Sequence, residues 1–201
     1  MVKNIITTTL TVGLCCSNLA NATLEEAFVT DTLPDRYLQG VVNNIDIPPV
    51  NINYLKIQQF YGKYDGVLSY DFLSYIDAVL KEEGIAHKVS LPMMVALIDV
   101  ESKFDHHRES SVGAYGLCQI MPGTAASINK LYNRDLDRMD DYDNVRLSVI
   151  YLKDLYMRYK HTENVIRFYN GGTKWRKIPS TKTYYQTIMR KSSAIEEAIR
   201  T

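Results

Sequence analysis

One carboxylate, Glu101, is placed in this sequence where it could act as an acid. It follows an unbroken apolar run, residues 92–98, and it comes four residues after Leu97 and seven after Met94. At helical spacing these three side chains share one face, and a helix that is apolar on all sides is usually buried. A carboxyl at the edge of such a face loses solvation, which favours its protonated form and can bring its pKa near ~6. Such a group can donate a proton near neutral pH, although periodicity alone leaves open that Glu101 faces water.

A glycine-punctuated loop follows the glutamate and leads into an apolar segment that one amide interrupts. The loop contains Gly113-Ala114-Tyr115-Gly116, and the amide is Gln119. A buried glutamine needs hydrogen-bond partners, so Gln119 has a polar role in the fold or toward a ligand. His106 and His107 are adjacent and have no second ligand at a suitable spacing, which argues against a zinc site.

Four segments in a fixed order carry the strongest functional signal. The first is ESKF, with a serine nine residues after the glutamate and then GAYGLCQIMP; the others are NVRLSVIYL, VIRFYNGG and TKTYYQTIM. Together they resemble the catalytic core of the soluble (SLT-type) lytic transglycosylases, which are relatives of goose-type lysozyme. The resemblance covers roughly residues 67–190.

The resemblance implies a peptidoglycan lytic transglycosylase that cleaves the β-1,4 bond between N-acetylmuramic acid and N-acetylglucosamine. Glu101 would protonate the glycosidic oxygen, and the acetamido group of the N-acetylmuramic acid would stabilise that sugar's own cationic centre. The 6-hydroxyl of the same sugar would then attack in place of water and give up its proton to Glu101. The product would be a 1,6-anhydro-muropeptide, and no metal or cofactor is implied.

The same resemblance assigns substrate contacts to seven further positions. They are Ser110, Gly116, Gln119, Met121, Tyr169, Asn170 and Tyr184. Ser110 matches a serine that hydrogen-bonds near the catalytic carboxyl, and Tyr169 is expected to reach toward Glu101 and the acetamido group. Gly116 matches a position where backbone approaches the sugar, and Tyr184 is matched in a segment where Tyr185 stands beside it. Ordinary roles as turn residues, core fillers or helix-end residues are open for several of the seven.

Three departures from the family pattern stand near these positions. Cys118 replaces a methionine or another large apolar residue, and Ser148 stands where glycine is usual. Arg167 and Phe168 replace small alanines directly before the tyrosine–asparagine pair. Bulk at the last two positions could narrow the glycan groove or change which glycan fits.

A second carboxylate is hard to find, although glycosidic cleavage normally uses two. Asp99 lies two residues from Glu101, which on a helix points it to another face. Asp105 and Glu109 lie in a loop whose path the sequence does not give. One well-placed acid is what the transglycosylase family uses, and it argues against the nearest alternative, a hydrolytic goose-type lysozyme. A non-catalytic peptidoglycan-binding module of an envelope-spanning secretion or conjugation machine is the other alternative.

The elements that must position these residues are helices. The predicted class is all-α, a compact lysozyme-like domain with a glycan-binding groove and at most a minor extended N-terminal segment. Predicted helices run from Ser69 (cap) to about Glu83, from Ser90 (cap) through Glu101, from Pro122 to about Leu131, from Asp143 (cap) to about Tyr159, from Thr162 (cap) through Tyr169, and from about Thr181 to Arg200. We expect residues 67–201 to form the catalytic domain and residues 23–66 an N-terminal extension of unknown role.

Composition narrows the partners. The 201 residues suffice for one domain, and 23 basic against 23 acidic residues give a formal net charge of zero. This balance offers no electrostatic case for nucleic acid. The expected partner is the peptidoglycan glycan strand, with an envelope-spanning secretion or conjugation machine as a further candidate.

The first 22 residues read as a secretory signal peptide. Lys3 gives a positive start, residues 5–16 are mostly apolar, and Ala20-Asn21-Ala22 supplies a small-x-small cleavage pattern. Cys15 and Cys16 invite a lipoprotein interpretation, but a leucine precedes them where a small residue would be expected. We therefore expect a periplasmic protein, with an outer-membrane lipoprotein as the less favoured alternative.

Overall fold

The structure is a computed structural model, and it describes residues 50–62 and 66–201. These residues contain seven α-helices and one 3-10 helix, Gly172–Lys177. The α-helices are α1 (Ile52–Tyr61), α2 (Tyr70–Glu82), α3 (Leu91–Ser102), α4 (Pro122–Tyr132), α5 (Asp141–Tyr159), α6 (Thr162–Gly171) and α7 (Ser180–Arg200). The predicted all-α class is confirmed. The predicted signal peptide lies outside the described residues, and none of the helices within them is long and apolar enough to span a membrane.

Two helix starts were predicted from their capping residues, and both are confirmed. The Ser69 hydroxyl accepts the backbone N–H of Phe72 at 3.1 Å, and α2 begins directly after it. The Ser90 hydroxyl accepts the N–H of Met93 at 3.3 Å at the start of α3. Each cap satisfies a backbone donor that the first helical turn leaves without a partner.

Two other predicted caps are wrong. Helix α5 begins earlier than expected, because the Asp140 carboxylate accepts the N–H groups of Tyr142 and Asp143, while the predicted cap Asp143 accepts the N–H of Asp137. Thr162 is the first residue of α6 instead of its cap, and its hydroxyl accepts the Tyr156 hydroxyl at 3.0 Å. Several aspartates within four residues make the cap ambiguous in sequence, and only the path of the preceding loop decides it.

Helix α1 lies in the stretch that the sequence assigned to the N-terminal extension. Its residues Tyr54, Ile57 and Tyr61 belong to the same buried core as the later helices. The helix packs against α7 and α2, and the Lys56 amine donates to the carbonyl of Ile199 at 2.8 Å. The described part of this stretch is therefore packed as an integral part of the helical core.

The core is organised around α3. Its side chains from Met93 to Asp99 are all buried, which agrees with its apolar sequence on every face. Its most extensive contact is with α7, and it also contacts α2. Helix α7 places Tyr184 and Lys191 seven residues apart, two helical turns, so both lie on the face directed at α3. The pairing of α3 with α7 is what positions the functional site.

Candidate active site

Glu101 lies in the last turn of α3, at the edge of the core. The helix ends because Lys103 and Phe104 both adopt left-handed backbone, with φ of 59° and 60°. These are unusual values for residues other than glycine, and neighbouring contacts must maintain them. Phe104 is buried, and its ring lies 5.0 Å from that of Tyr61 of α1. The buried phenylalanine thus anchors the turn that stops α3 and keeps Glu101 partly exposed at its end.

Burial raises the pKa of Glu101 from 4.5 to about 7. The Tyr184 hydroxyl, which donates a hydrogen bond to Glu101 Oε1, and the positive charge of Arg108 act in the opposite direction, but more weakly. Of the two interpretations that periodicity left open, the structure therefore agrees with the partly desolvated acid. A carboxyl with this pKa is substantially protonated at neutral pH and can donate a proton.

Tyr184 is the tyrosine that reaches the glutamate, although Tyr185 stands beside it in sequence. Burial and the nearby charge of Glu101 raise the pKa of the Tyr184 hydroxyl well above 10. The hydroxyl therefore keeps its proton at neutral pH and acts as a hydrogen-bond donor. Its contact with Oε1 fixes the orientation of the carboxyl and leaves Oε2 for a ligand.

Tyr169 lies close to Glu101, but its hydroxyl is committed elsewhere. Burial raises the pKa of the Tyr169 hydroxyl well above 10, and the charges of Cys118 and Glu101 add to the shift, which places Tyr169 within electrostatic range of Glu101. The hydroxyl donates to the carbonyl of Cys118 at 2.8 Å, and its oxygen lies 3.0 Å from the Ser148 hydroxyl. Since a phenol has one proton, Ser148 must be the donor in the second bond. The departure at position 148 therefore acts on this tyrosine through its side chain, whereas position 118 contributes only its backbone carbonyl.

Ser110 lies in the turn after the glutamate, and its contacts are within that turn. Its hydroxyl accepts the N–H of Ala114 at 2.9 Å, while its own N–H donates to the Ala114 carbonyl at 2.9 Å. The hydroxyl proton remains able to donate. In this structure Ser110 shapes the loop, and its predicted bond near the catalytic carboxyl stays a prediction.

The fold itself requires glycine at position 116, whether or not a sugar is bound. Its φ is +78°, and a Cβ there would lie 2.6 Å from the side-chain nitrogen of Asn144. Asn144 is buried; its amide nitrogen donates to the carbonyls of Tyr115 and Arg138, and its oxygen accepts the N–H of Cys118. Asn144 thus fixes the glycine loop on α5. No role was predicted for this residue from the sequence. The signal that could have identified it is an asparagine directly before the apolar residues of a helix.

Gln119 combines a strained backbone with a loop-bracing amide. Its φ is +51°, and its amide nitrogen donates to the carbonyls of Arg108 and Gly116 at 2.8 and 3.0 Å. These bonds use the donors and leave the amide oxygen directed at no protein partner among those described. The amide nitrogen of Gln119 therefore stabilises the loop, and its amide oxygen can accept a hydrogen bond from a sugar.

Four predicted substrate-binding residues line one cavity of about 220 Å³. They are Gln119, Met121, Tyr169 and Asn170. A larger cavity of about 490 Å³ shares Met121 and Tyr151 with it, so the two adjoin. We call the two adjoining cavities the groove; Tyr169 lines its smaller part and lies within electrostatic range of Glu101. Tyr151 had not been predicted, since its segment matched the family only as a helix.

Arg167 and Phe168, the two bulky residues before the tyrosine–asparagine pair, point in different directions. Arg167 turns away from the groove: it donates to Thr181 and Glu163, and its guanidinium lies 4.7 Å from the Trp175 ring centre. Phe168 is buried and forms part of the wall of the larger cavity. Of the two, only Phe168 can affect which glycan fits.

The other acids near Glu101 are engaged elsewhere or exposed. Asp99 is buried and ion-paired with Lys103 and Lys191, at 3.2 and 2.6 Å, while Asp105 and Glu109 are exposed. Among the described groups, those that shift the pKa of Glu101 are a hydroxyl and a guanidinium, and no carboxylate is among them. The structure thus offers one acid in a position to act on a glycosidic bond.

The adjacent histidines hold the loop to its surroundings. His106 contacts the carboxylate of Asp141 at the start of α5, and His107 Nδ1 lies 3.2 Å from the Tyr115 hydroxyl. Across residues 50–62 and 66–201, no three His, Cys, Asp or Glu side chains are grouped in a way that could hold a metal ion.

Comparisons with known proteins agree with this geometry. Residues 78–188, more than half of the chain, match the family model described as the transglycosylase SLT domain. The fold is similar to an inactive mutant of lytic transglycosylase Slt from Pseudomonas aeruginosa, with a TM-score of 0.56 and 20% identity over 63% of this chain and 24% of that one. It is also similar to the 70-kDa soluble lytic transglycosylase SLT70 from Escherichia coli, with a TM-score of 0.55 and 16% identity over 70% of this chain and 29% of that one. The chain therefore spans less than a third of the length of either enzyme.

Proposed function

The chain belongs to the transglycosylase SLT domain family, and from that premise we propose that it is a peptidoglycan lytic transglycosylase. Its substrate is the glycan strand, and the bond cleaved is the β-1,4 link between N-acetylmuramic acid and N-acetylglucosamine. The observation that carries the proposal is a single carboxyl, Glu101, whose pKa burial raises to about 7 and which Tyr184 orients.

The first chemical step is protonation of the leaving oxygen. The Glu101 carboxyl transfers its proton to the glycosidic oxygen as the bond to the anomeric carbon of N-acetylmuramic acid breaks. Positive charge develops on that carbon, and the sugar's own acetamido oxygen shares it. Glu101 is left as a carboxylate, which the donated Tyr184 hydrogen bond and the charge of Arg108 stabilise.

The second step returns the proton. The carboxylate of Glu101 accepts the proton of the sugar's 6-hydroxyl as that oxygen bonds to the anomeric carbon. The products are a 1,6-anhydro-N-acetylmuramic acid end and a free 4-hydroxyl on the N-acetylglucosamine, and Glu101 is again protonated. One carboxyl acts as acid and then as base, so this route needs no second carboxylate.

The groove supplies binding and orientation. Gln119 offers a carbonyl oxygen to sugar hydroxyl or amide protons, and Asn170 is exposed beside it. Met121 is 40% exposed and can cover the apolar face of a ring. Polar groups around an apolar floor are typical of sites that bind sugars and other amphipathic ligands.

The site of action follows from the substrate. We propose that residues 1–22 direct export, and that the protein works in the periplasm on glycan strands. An enzyme of this size that opens the wall locally would suit an envelope-spanning secretion or conjugation machine, which we propose as its partner class.

Digestion of purified peptidoglycan, followed by mass spectrometry of the released sugars, tests the proposal. The protein should release anhydro-muropeptides, and Glu101→Gln should release none. Reducing-end products that also disappear in the mutant would instead establish a hydrolase. Glu109→Gln is the matched control, since it removes an exposed carboxylate of the following loop and should leave product release unchanged.

A further inference from the structure

A cluster of positive charge lies beside the larger cavity of the groove. The 3-10 helix Gly172–Lys177 carries Lys174, Arg176 and Lys177, and all three are exposed. Together with Thr173 they line a cavity of about 340 Å³. Since the chain as a whole has a formal net charge of zero, this is a local feature.

The cluster is continuous with the groove. The cavity next to Tyr169 shares Gly172 with the larger groove cavity, and the larger cavity shares Thr173 with the basic one. A strand lying along the groove past Tyr169 would therefore reach the three cations. In sequence they follow Tyr169 by only five to eight residues.

Within the part of the chain that the structure describes, the three cations have no acidic partners, unlike Lys191 and Arg167. Lys191 pairs with Asp99, and Arg167 with Glu163. Among the described residues no ion pair includes Lys174, Arg176 or Lys177, and Arg176 instead lies 4.6 Å from the centre of the Trp175 ring. Unpaired cations next to a binding groove raise the local concentration of anionic groups and are free to bind them.

Trp175 holds the 3-10 helix that carries the three cations in a fixed position. The indole is 4% exposed, and the guanidinium groups of Arg167 and Arg176 lie 4.7 and 4.6 Å from its ring centre. The Thr181 hydroxyl donates within this region to the carbonyls of Trp175 and Ile178. The backbone that presents the cations is therefore anchored in the core, which reduces the entropy lost on binding.

We propose that Lys174, Arg176 and Lys177 form a subsite for the carboxylates of the peptide stems that branch from the glycan strand. The inference rests on the proposed function, because it takes the groove to hold a glycan. The sugars themselves are largely uncharged, whereas each stem carries side-chain and terminal carboxylates. A guanidinium binds a carboxylate through two parallel hydrogen bonds, and ammonium groups add charge.

Binding to sacculi tests the subsite without requiring turnover. Every protein carries Glu101→Gln, and it is sedimented with sacculi that are either native or treated with carbodiimide and methylamine, which amidates the carboxylates but keeps the stems. Replacement of all three cations by glutamine should weaken binding to native sacculi about tenfold, a sum of three exposed charge pairs. Binding to amidated sacculi should be equally weak with and without the replacement. The difference on native sacculi should shrink as salt is added.

Two control variants separate the position of the charges from their number and from the side chains that carry them. Lys88→Gln, Lys130→Gln and Arg190→Gln together remove the same charge from exposed residues that line neither groove cavity, and this control should bind native sacculi normally. A charge-conserving variant, Lys174→Arg with Lys177→Arg, should also bind normally.

Two results would overturn the subsite. One is binding of native sacculi by the glutamine variant as tight as by the control. The other is an equal loss on native and amidated sacculi, which would mean that the segment serves the glycan or the fold. Glycan strands freed of stems by an amidase expose lactyl carboxylates, and a remaining tenfold difference on these would assign the site to the lactyl group and contradict the stem. Failure to release anhydro-muropeptides would contradict the proposed chemistry and leave these binding results standing.

Discussion

Asp99 and Glu101 lie two residues apart on α3, and their surroundings move their pKa values in opposite directions. Burial acts on both and favours the neutral form. At Asp99, hydrogen bonds and charge from Lys191 and Lys103 outweigh burial and lower the pKa below 3.8. At Glu101, one hydroxyl and one more distant guanidinium do not outweigh it, and the pKa rises to about 7.

The difference follows from the helical repeat. Two residues correspond to a rotation of about 200°, so the two carboxyls leave α3 in different directions and meet different side chains of α7, Lys191 and Tyr184. Asp99 meets lysines and the Tyr61 hydroxyl, at 3.2 Å, whereas Glu101 accepts a hydrogen bond from the Tyr184 hydroxyl. The same helix thus carries one carboxylate that stabilises the fold and one acid that is available for chemistry.

The two groups also contribute to stability with opposite pH dependence. The native state keeps the Glu101 proton between pH 4.5 and about 7 while the unfolded chain loses it, so stability falls across that window as pH rises. Asp99 has a lowered native pKa, so its contribution is present above 3.8 and is lost as pH falls below that value.

The largest expected effect is that of Glu101→Gln on activity. Removing the one acid that the described residues place in position should reduce kcat/KM for peptidoglycan by about 10²–10⁴-fold. The fold should become more stable at pH 8, by about 1–3 kcal/mol, because a desolvated charge is removed. Turnover assays and urea unfolding at pH 5 and pH 8 measure both. If the variant keeps its activity, or loses stability at pH 8, Glu101 would not differ from Asp99 in being a desolvated acid that serves chemistry.

Asp99→Asn should show the opposite pattern. It leaves Lys191 and Lys103 without their carboxylate, so stability at pH 7 should fall by about 1–3 kcal/mol while kcat at low temperature stays within about twofold of the wild type. Glu197→Gln, which breaks an exposed pair with Arg200, is the matched control and should cost under about 0.5 kcal/mol. A large loss of kcat at Asp99 without destabilisation would give that residue a chemical role and contradict this assignment.

Tyr184→Phe tests how the pKa of Glu101 is tuned. Loss of a donated hydrogen bond removes a group that lowers the pKa of Glu101, so the alkaline limb of the kcat/KM profile should move to higher pH. Loss of orientation should reduce kcat/KM about tenfold at pH 6. Tyr185→Phe removes a hydroxyl from the neighbouring residue and should change neither. An unshifted limb would mean that Tyr184 serves packing alone.

Ser148→Ala should have the smallest effect. It removes the donor to the Tyr169 oxygen, a bond worth about 1 kcal/mol, so kcat/KM should fall by roughly fivefold or less. Asn144→Ala, on the same helix, should instead lower stability strongly, because Asn144 braces the glycine loop. If Ser148→Ala matches the wild type in both activity and melting temperature, its contact with Tyr169 is incidental.

The sequence predicts the helical class and the partly desolvated position of Glu101, for an identifiable reason. Apolar periodicity and capping serines are local signals, and they locate α2 and α3. Glu101 closely follows an apolar run in the sequence, and the residues around it resemble those of a known family. Tyr184 was also predicted, but only the structure separates it from Tyr185.

What the sequence misses are contacts between distant segments. In the sequence, Ser148 and Cys118 are separate departures from the family pattern. Only folding brings the Ser148 hydroxyl and the Cys118 carbonyl to the Tyr169 hydroxyl. Arg108 affects the pKa of Glu101 from an exposed loop position that no periodicity indicates. The 3-10 helix lies between two predicted helices and was not itself predicted, since short turns of this kind lack a repeating apolar pattern.

The central claim is that Glu101 is held as a neutral acid while Asp99 is held as an anion. Carbon-13 NMR titration of the carboxyl groups measures both in one experiment, with Glu101→Gln and Asp99→Asn assigning the signals. We expect the Glu101 carboxyl to titrate at about pH 7 and the Asp99 carboxyl to titrate below its ordinary value of 3.8. A Glu101 carboxyl that titrates near 4.5 would contradict the claim, because the group would then be ionised at neutral pH and unable to protonate the glycosidic oxygen.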